Sequence, residues 1–173
     1  MKKFVIVSTF MGLITFPGAS FAEIAQAKLT GVQEVPSVST AAHGEFRARI
    51  SRDEQSIDYE LTYEGLQGNV RQAHIHFAQR HVNGSIVVWL CGTPSFPGPT
   101  GTQLCPQTGT ISGTITAADV IAASNPAQQV NAGDLDKVIA AIRARAAYVN
   151  VHTDPSPGGE IRGQIRASRK DKD

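Results

Sequence analysis

The sequence is poor in several features that commonly announce a function. It has only two cysteines in 173 residues, Cys91 and Cys105, with no CxxC spacing. A pair of thiolate metal ligands therefore lacks its usual spacing. Neither charge sign dominates: 16 Lys+Arg stand against 15 Asp+Glu, a net of +1. Nucleic-acid binding would want a basic face, and none is visible. No Gly-x-Ser-x-Gly elbow and no glycine-rich phosphate loop occurs, which removes the common serine-hydrolase and nucleotide-binding readings. There is no internal repeat, no low-complexity segment and no visible domain boundary.

The amino terminus has the pattern of an export leader. Met1-Lys2-Lys3 is a short positive start, residues 4–16 form an uncharged apolar run, and Pro17-Gly18-Ala19-Ser20-Phe21-Ala22 follows. Ser20 and Ala22 occupy the −3 and −1 positions of a cleavage site after Ala22. The run is too short for a membrane anchor, which needs about 20 residues. Removing 22 of 173 residues leaves 151, enough for one domain with a core. The leader removes two lysines, so 14 Lys+Arg face 15 Asp+Glu and the mature charge is −1. A secreted or periplasmic domain over residues 23–167 is expected, not membrane-spanning after cleavage, with a charged, flexible tail over residues 168–173.

In an exported chain, Cys91 and Cys105 are expected to form a disulfide, closing a loop rich in Pro and Gly. The alternative, a pair of thiolate metal ligands, would need a reducing compartment.

Short alternating runs fill the mature chain. Residues 44–50 set Phe46, Ala48 and Ile50 against Glu45, Arg47 and Arg49. Residues 57–63 do the same with Ile57, Tyr59, Leu61 and Tyr63, and a period of two predicts half-buried strands. Further strands are expected at residues 28–33, 72–78, 85–90, 110–116, 147–153 and 160–167. Asn83-Gly84 signals a hairpin between the fourth and fifth. Before the penultimate strand the period changes. Residues 117–123, capped by Thr116, and residues 134–144, with Leu135, Val138, Ile139 and Ile142 on one face, predict two helices. The expected fold is mainly β: a Greek-key sandwich or barrel of about eight strands with a two-helix insertion.

His74-Ile75-His76 carries the chemistry. Side chains two apart on a strand share a face. With Ile75 and Phe77 on the core face, both imidazoles point the other way. In residues 147–153, Val149 and Val151 go inward, which turns Asn150 and His152 outward. If the two strands are neighbours, three imidazoles converge on the outer wall of the sheet. Neutral imidazole suits copper or zinc. Histidines on a sheet face can equally hydrogen-bond across strands and bind nothing. Asn150 is a candidate partner of a ligand. His81, beside the hairpin turn, and His43, at a strand start, are lesser candidates. Protons would compete for such a site below a pH near 6.5.

Several blocks resemble the CHRD (chordin) domain family. They are Leu-Thr-Gly-Val-Gln-Glu-Val-Pro at 29–36, Ala-His-Ile-His at 73–76, Asn83-Gly84, Tyr-Val-Asn-Val-His-Thr at 148–153 and Pro-Gly-Gly-Glu-Ile-Arg-Gly-Gln-Ile at 157–165. The resemblance implies an exported domain of the kind found in chordin, an extracellular growth-factor antagonist, and in secreted microbial proteins. The sequence departs from the pattern at Ser37, where a second proline is usual, and at Arg145-Ala146-Ala147, where Gly and Asn are usual. A fainter likeness links His74, His76, His152 and the closing strand to copper/zinc superoxide dismutase. It implies copper at those three histidines, and Arg162 as a guide for an anion, although an outward strand arginine is more often a solvated cross-strand partner. The bridging histidine and zinc loop do not carry over, because the segment between Cys91 and Gly109 contains no His, Asp or Glu. Three readings follow: an exported copper-binding module, a non-catalytic interaction domain for an extracytoplasmic protein, and, ranked last, a dismutase-like enzyme.

Overall fold

The computed structural model describes residues 23–168; the expected leader and all of the tail but Ser168 lie outside the described residues. β1 (Glu23–Thr30), β2 (His43–Ile50) and β3 (Ile57–Glu64) form an antiparallel meander. In all three, inward apolar residues alternate with exposed polar ones, as in Phe46, Ala48 and Ile50 against Glu45, Arg47 and Arg49. β1 begins five residues earlier than its sequence suggested. Its inward positions there are Ala25 and Ala27, side chains too small to make the alternation conspicuous. It stops at Thr30 because Gly31–Gln33 turns into a 3-10 helix.

The chain then crosses to β4 (Val70–Phe77) and β5 (Ser85–Cys91), returns with β6 (Gly109–Ile115), and crosses again to β7 (Ala147–Thr153), β8 (Ile161–Gln164) and the short β9 (Arg166–Ala167). The strand order is β5-β4-β7-β8-β1-β2-β3-β6, antiparallel throughout, with β9 on β1. These non-local crossings make it a Greek key. The two end strands are drawn together into a nearly closed barrel. Val88 of β5 bridges Val120 just beyond β6, and the Tyr59 hydroxyl on β3 donates to the Leu90 carbonyl on β5 at 3.2 Å. Phe46, Leu61, Ile75, Val88, Val149 and Ile161 fill the interior.

The insertion holds one α-helix rather than two. α1 (Leu135–Arg143) forms as expected and buries Leu135, Val138, Ile139 and Ile142. Residues 117–123 make only a single 3-10 turn, Ala117–Asp119, whose start is tied by the Thr116 N–H and hydroxyl donating to Asp119 Oδ2 at 2.8 and 2.9 Å. The next residues pair with β5: Ile121 N–H donates to the Val87 carbonyl. An open strand edge offers ready partners to a backbone that a short helix could not stabilise alone.

The expected disulfide is present, Cys91 to Cys105, where the chain leaves β5 for β6. With a sequence separation of 14, it restricts the unfolded chain by about 3 kcal/mol in the chain-entropy description. Among the described residues no helix is long and apolar enough to cross a membrane.

Reduction, or the Cys91→Ser/Cys105→Ser double substitution, should lower unfolding free energy by about 2–4 kcal/mol in a urea titration followed by circular dichroism. No change in midpoint would show that the loop over residues 92–104 is held without its staple.

Candidate metal centre

β4 and β7 are neighbours, as the convergence of histidines required. Gln72 lies opposite His152, His74 opposite Asn150, and His76 opposite Tyr148. Ala73, Ile75, Val149 and Val151 point into the barrel, and the alternate residues point the other way. That outer face is not open to water. Every residue of β7 and β8 is buried, and His74, His76 and His152 are 0%, 7% and 5% exposed. The cover is built from loops. The segment after β1, the turn before β5 and the turn before β8 each contribute a group to the histidines or their neighbours.

Two of those contacts fix tautomers. His76 Nδ1 donates to the Gly84 carbonyl at 2.9 Å, and His152 Nδ1 donates to the Pro157 carbonyl at 3.0 Å. A neutral imidazole has one N–H, so both rings turn a bare Nε2 toward the centre. His74 Nδ1 stands 3.2 Å from His152 Nε2. His74 Nε2 and His76 Nε2 are buried with no hydrogen-bond partner among the described residues. One nitrogen from each ring lies within 4.8 Å of the other two. Three donors each about 2.0–2.1 Å from one ion stand about 3.4–3.6 Å apart, so the rings would have to close by about 1 Å to share an ion. A backbone carbonyl on the far nitrogen is the usual companion of a metal-binding imidazole.

Aromatic rings wall the cluster. His74 meets Trp89 edge-on at 4.2 Å between ring centres. His76 stacks on Tyr148 at 4.6 Å, and the Arg162 guanidinium caps Tyr148 at 3.4 Å. Burial pushes His74 down to about 2, helped by the neighbouring His152 and His76. It pushes His76 and His152 down to about 4, against the opposing pull of the carbonyls they bond. All three are therefore neutral at pH 7, and proton competition begins well below the 6.5 of a free imidazole.

The remaining candidates separate. Asn150 is 2% exposed and joins the cluster, its Oδ1 3.0 Å from His152 Nε2. Arg162 is not a solvated surface arginine: it is 2% exposed, and donates to Asn83 Oδ1 and to the Val82 carbonyl. Those bonds and the Tyr148 ring hold it within the cover rather than aim it at an incoming anion. His81 is exposed on the loop after β4, and His43 is an exposed partner of Glu64 at 2.8 Å; neither joins the cluster. Asn83-Gly84 closes a seven-residue loop, residues 78–84, rather than forming a two-residue turn. Gly84 is needed for close approach, since a Cβ there would run into the Phe77 carbonyl.

Two buried acids escaped the sequence reading. Glu160, 1% exposed, accepts from Thr153 Oγ1 at 2.7 Å, Thr40 Oγ1 at 2.8 Å and the Gln67 N–H at 2.9 Å, tying three loops to the end of β7. Glu34, 5% exposed, lies beside the Asn150 side chain; burial raises it to about 7, against the pull of Arg162. Gly159 faces both Glu34 and Asn150. The signal was the position of these acids within the motif blocks; their partners are too distant in sequence to be paired by inspection.

All the motif blocks thus meet around the histidines. A sequence model of the CHRD domain matches residues 25–165. The chain belongs to the CHRD domain family. Searches of curated proteins and of solved structures return no match. This CHRD domain, then, gathers the blocks that mark its family at one buried cluster that could hold a metal.

The lowered histidine values carry a stability consequence. The unfolded chain takes up protons near pH 6.5 while the folded rings stay neutral, so stability is complete above that pH and lost as pH falls toward 4. Glu34 acts oppositely: its stabilisation is present at acid pH and lost as pH rises through about 7. The thermal midpoint of metal-free protein should therefore drop between pH 6.5 and 4.5, and His152→Gln should make the drop shallower. An equal slope in the variant would contradict a buried neutral His152.

Proposed function

We propose that this protein is an exported module that binds one transition-metal ion, copper first among them, through His74, His76 and His152, and buffers or carries it outside the cytoplasm. The observation that carries this reading is the set of inward imidazole nitrogens. Two of the three rings have their N–H groups committed to backbone carbonyls, which leaves lone pairs gathered in a buried space with few donors to satisfy them. Such lone pairs are costly unless a cation or proton meets them. Among divalent first-row ions, nitrogen donors favour Cu(II) most. Burial suits holding an ion better than turnover, because a catalytic metal keeps a position open to substrate. That ranks the dismutase-like reading last. A role as an interaction domain rests on the likeness to chordin alone.

Export is supported by the leader pattern of residues 1–22 and by a disulfide suited to an oxidising compartment. Protein recovered from the periplasm or medium should begin at Glu23; recovery of the intact chain in the cytoplasm alone would reject export.

The metal reading has an internal reporter. Trp89 is the sole tryptophan and touches His74. Adding Cu(II) at pH 7 should quench its fluorescence at one equivalent with sub-micromolar affinity. His74→Ala/His152→Ala should abolish the response. Absence of sub-micromolar binding, or binding unchanged in the double variant, rejects the proposal.

A further inference from the structure

We propose that the Asn150 amide oxygen is a fourth donor to the ion and that Glu34 is the positioning residue that turns it inward. This rests on the reading of the three histidines as a metal site and adds an oxygen to it. β-sheet register places Asn150 across from His74 and two residues from His152, on the same face. Its Oδ1 is 3.0 Å from His152 Nε2.

The bookkeeping of protons makes the contact informative. His152 uses its one N–H on Pro157, so its Nε2 is a bare acceptor. The Asn150 oxygen is also an acceptor. Two lone pairs at 3.0 Å with no hydrogen between them repel, unless a positive centre lies beside both. A metal ion shared by the two atoms removes the conflict.

Turning the amide over would also bring an N–H to His152. Glu34 opposes that. Once ionised, above about pH 7, its carboxylate only accepts, and it stands beside the Asn150 side chain next to Gly159. A reversed amide would set oxygen against oxygen. Nor can the carboxyl easily retreat. Gly159 packs against it at φ +125°, where a Cβ would run into Glu34 Oε1 and lie 2.7 Å from Asn150 Nδ2. Glu34 Oε1 is itself buried with no hydrogen-bond partner among the described residues. The donor set is then three nitrogens and one amide oxygen, with a carboxylate behind the oxygen to polarise it. Such a mixed set suits a divalent ion.

The test uses full-length protein loaded with Cu(II), reading affinity by competition with a chelator and the copper environment by electron paramagnetic resonance. Asn150→Ala should keep one-to-one binding, weaken it about tenfold or more, and alter the spectrum. Asn150→Asp restores an oxygen at the same place and should bring affinity back to the wild-type level or above. Glu34→Gln should weaken binding in the wild-type background and add little in the Asn150→Ala background. Wild-type protein that binds no copper would sink the histidine reading itself. Copper bound with unchanged affinity and spectrum in Asn150→Ala overturns the oxygen donor. An Asn150→Asp variant as weak as Asn150→Ala marks a packing role and overturns it too. Equal weakening by Glu34→Gln in both backgrounds reduces Glu34 to a distant charge and overturns its positioning role.

Discussion

The pairing of β4 with β7 is the constraint on which the rest depends. Side-chain facing in a strand has a period of two, so a slip of one residue would exchange the faces. In the strand that slipped, His74 and His76, or Asn150 and His152, would then enter the barrel, and Ile75, or Val149 and Val151, would take their places outside. Neither arrangement is tolerable: two polar groups would lose their partners, and apolar volume would leave the core. The register is therefore held from both sides at once. The irregularity between Val70 and Gln72 falls at the end of the pairing, so the run from Gln72 to Phe77 opposite residues 147–152 stays unbroken.

Burial of the outer face follows from what that register places there. On β1, β2 and β3 the outer positions, Ile24 apart, are polar and mostly stand in water. On β7 and β8 they are Tyr148, Asn150, His152, Arg162 and Gln164, and loops cover them. A cover over polar groups is stable only if it supplies partners. The Gly84 and Pro157 carbonyls serve His76 and His152, the Val82 carbonyl serves Arg162, and the Ala78 and Arg145 carbonyls serve Gln164. Glu160 then fastens the loops to β7. The same bonds that make burial affordable leave two Nε2 atoms with nothing to do but accept.

Much of this was legible in the sequence, and the reasons for the rest are physical. The strands of the meander and α1 could be read because each buries one face, which leaves a period in the residue types. The histidine triad was legible because His-x-His and the Val-Asn-Val-His run each state a facing. Burial of that face was not legible, because a polar residue reads the same under a loop as under water. For the same reason Arg162 read as a surface residue. Residues 117–123 have the composition of a helix, but the free edge of β5 lies beside them only in three dimensions. Glu34 and Glu160 were invisible as site residues because their meaning is their partners: Asn150 for one; Thr40, Gln67 and Thr153 for the other.

The surroundings of the histidines also bear on what kind of site the fold can maintain. Aromatic rings and a capped arginine make the space around His74 and His76 apolar on two sides, which strengthens every charge interaction inside it. Arg162 adds a positive charge, which by itself opposes a cation. Glu34 supplies a nearby negative charge once ionised above about pH 7, and the stack of Arg162 on Tyr148 directs the guanidinium onto a ring face, the Val82 carbonyl and the Asn83 side chain rather than at the nitrogens. The arginine so placed reinforces the cover without occupying the centre. A chain that needed only a stable barrel could fill these positions with hydrocarbon at less electrostatic cost. Instead this face carries three neutral imidazoles and an amide, with His76 and His152 pinned by loop carbonyls and His74 held between His152 and Trp89, and that is a set of groups that could hold a cation.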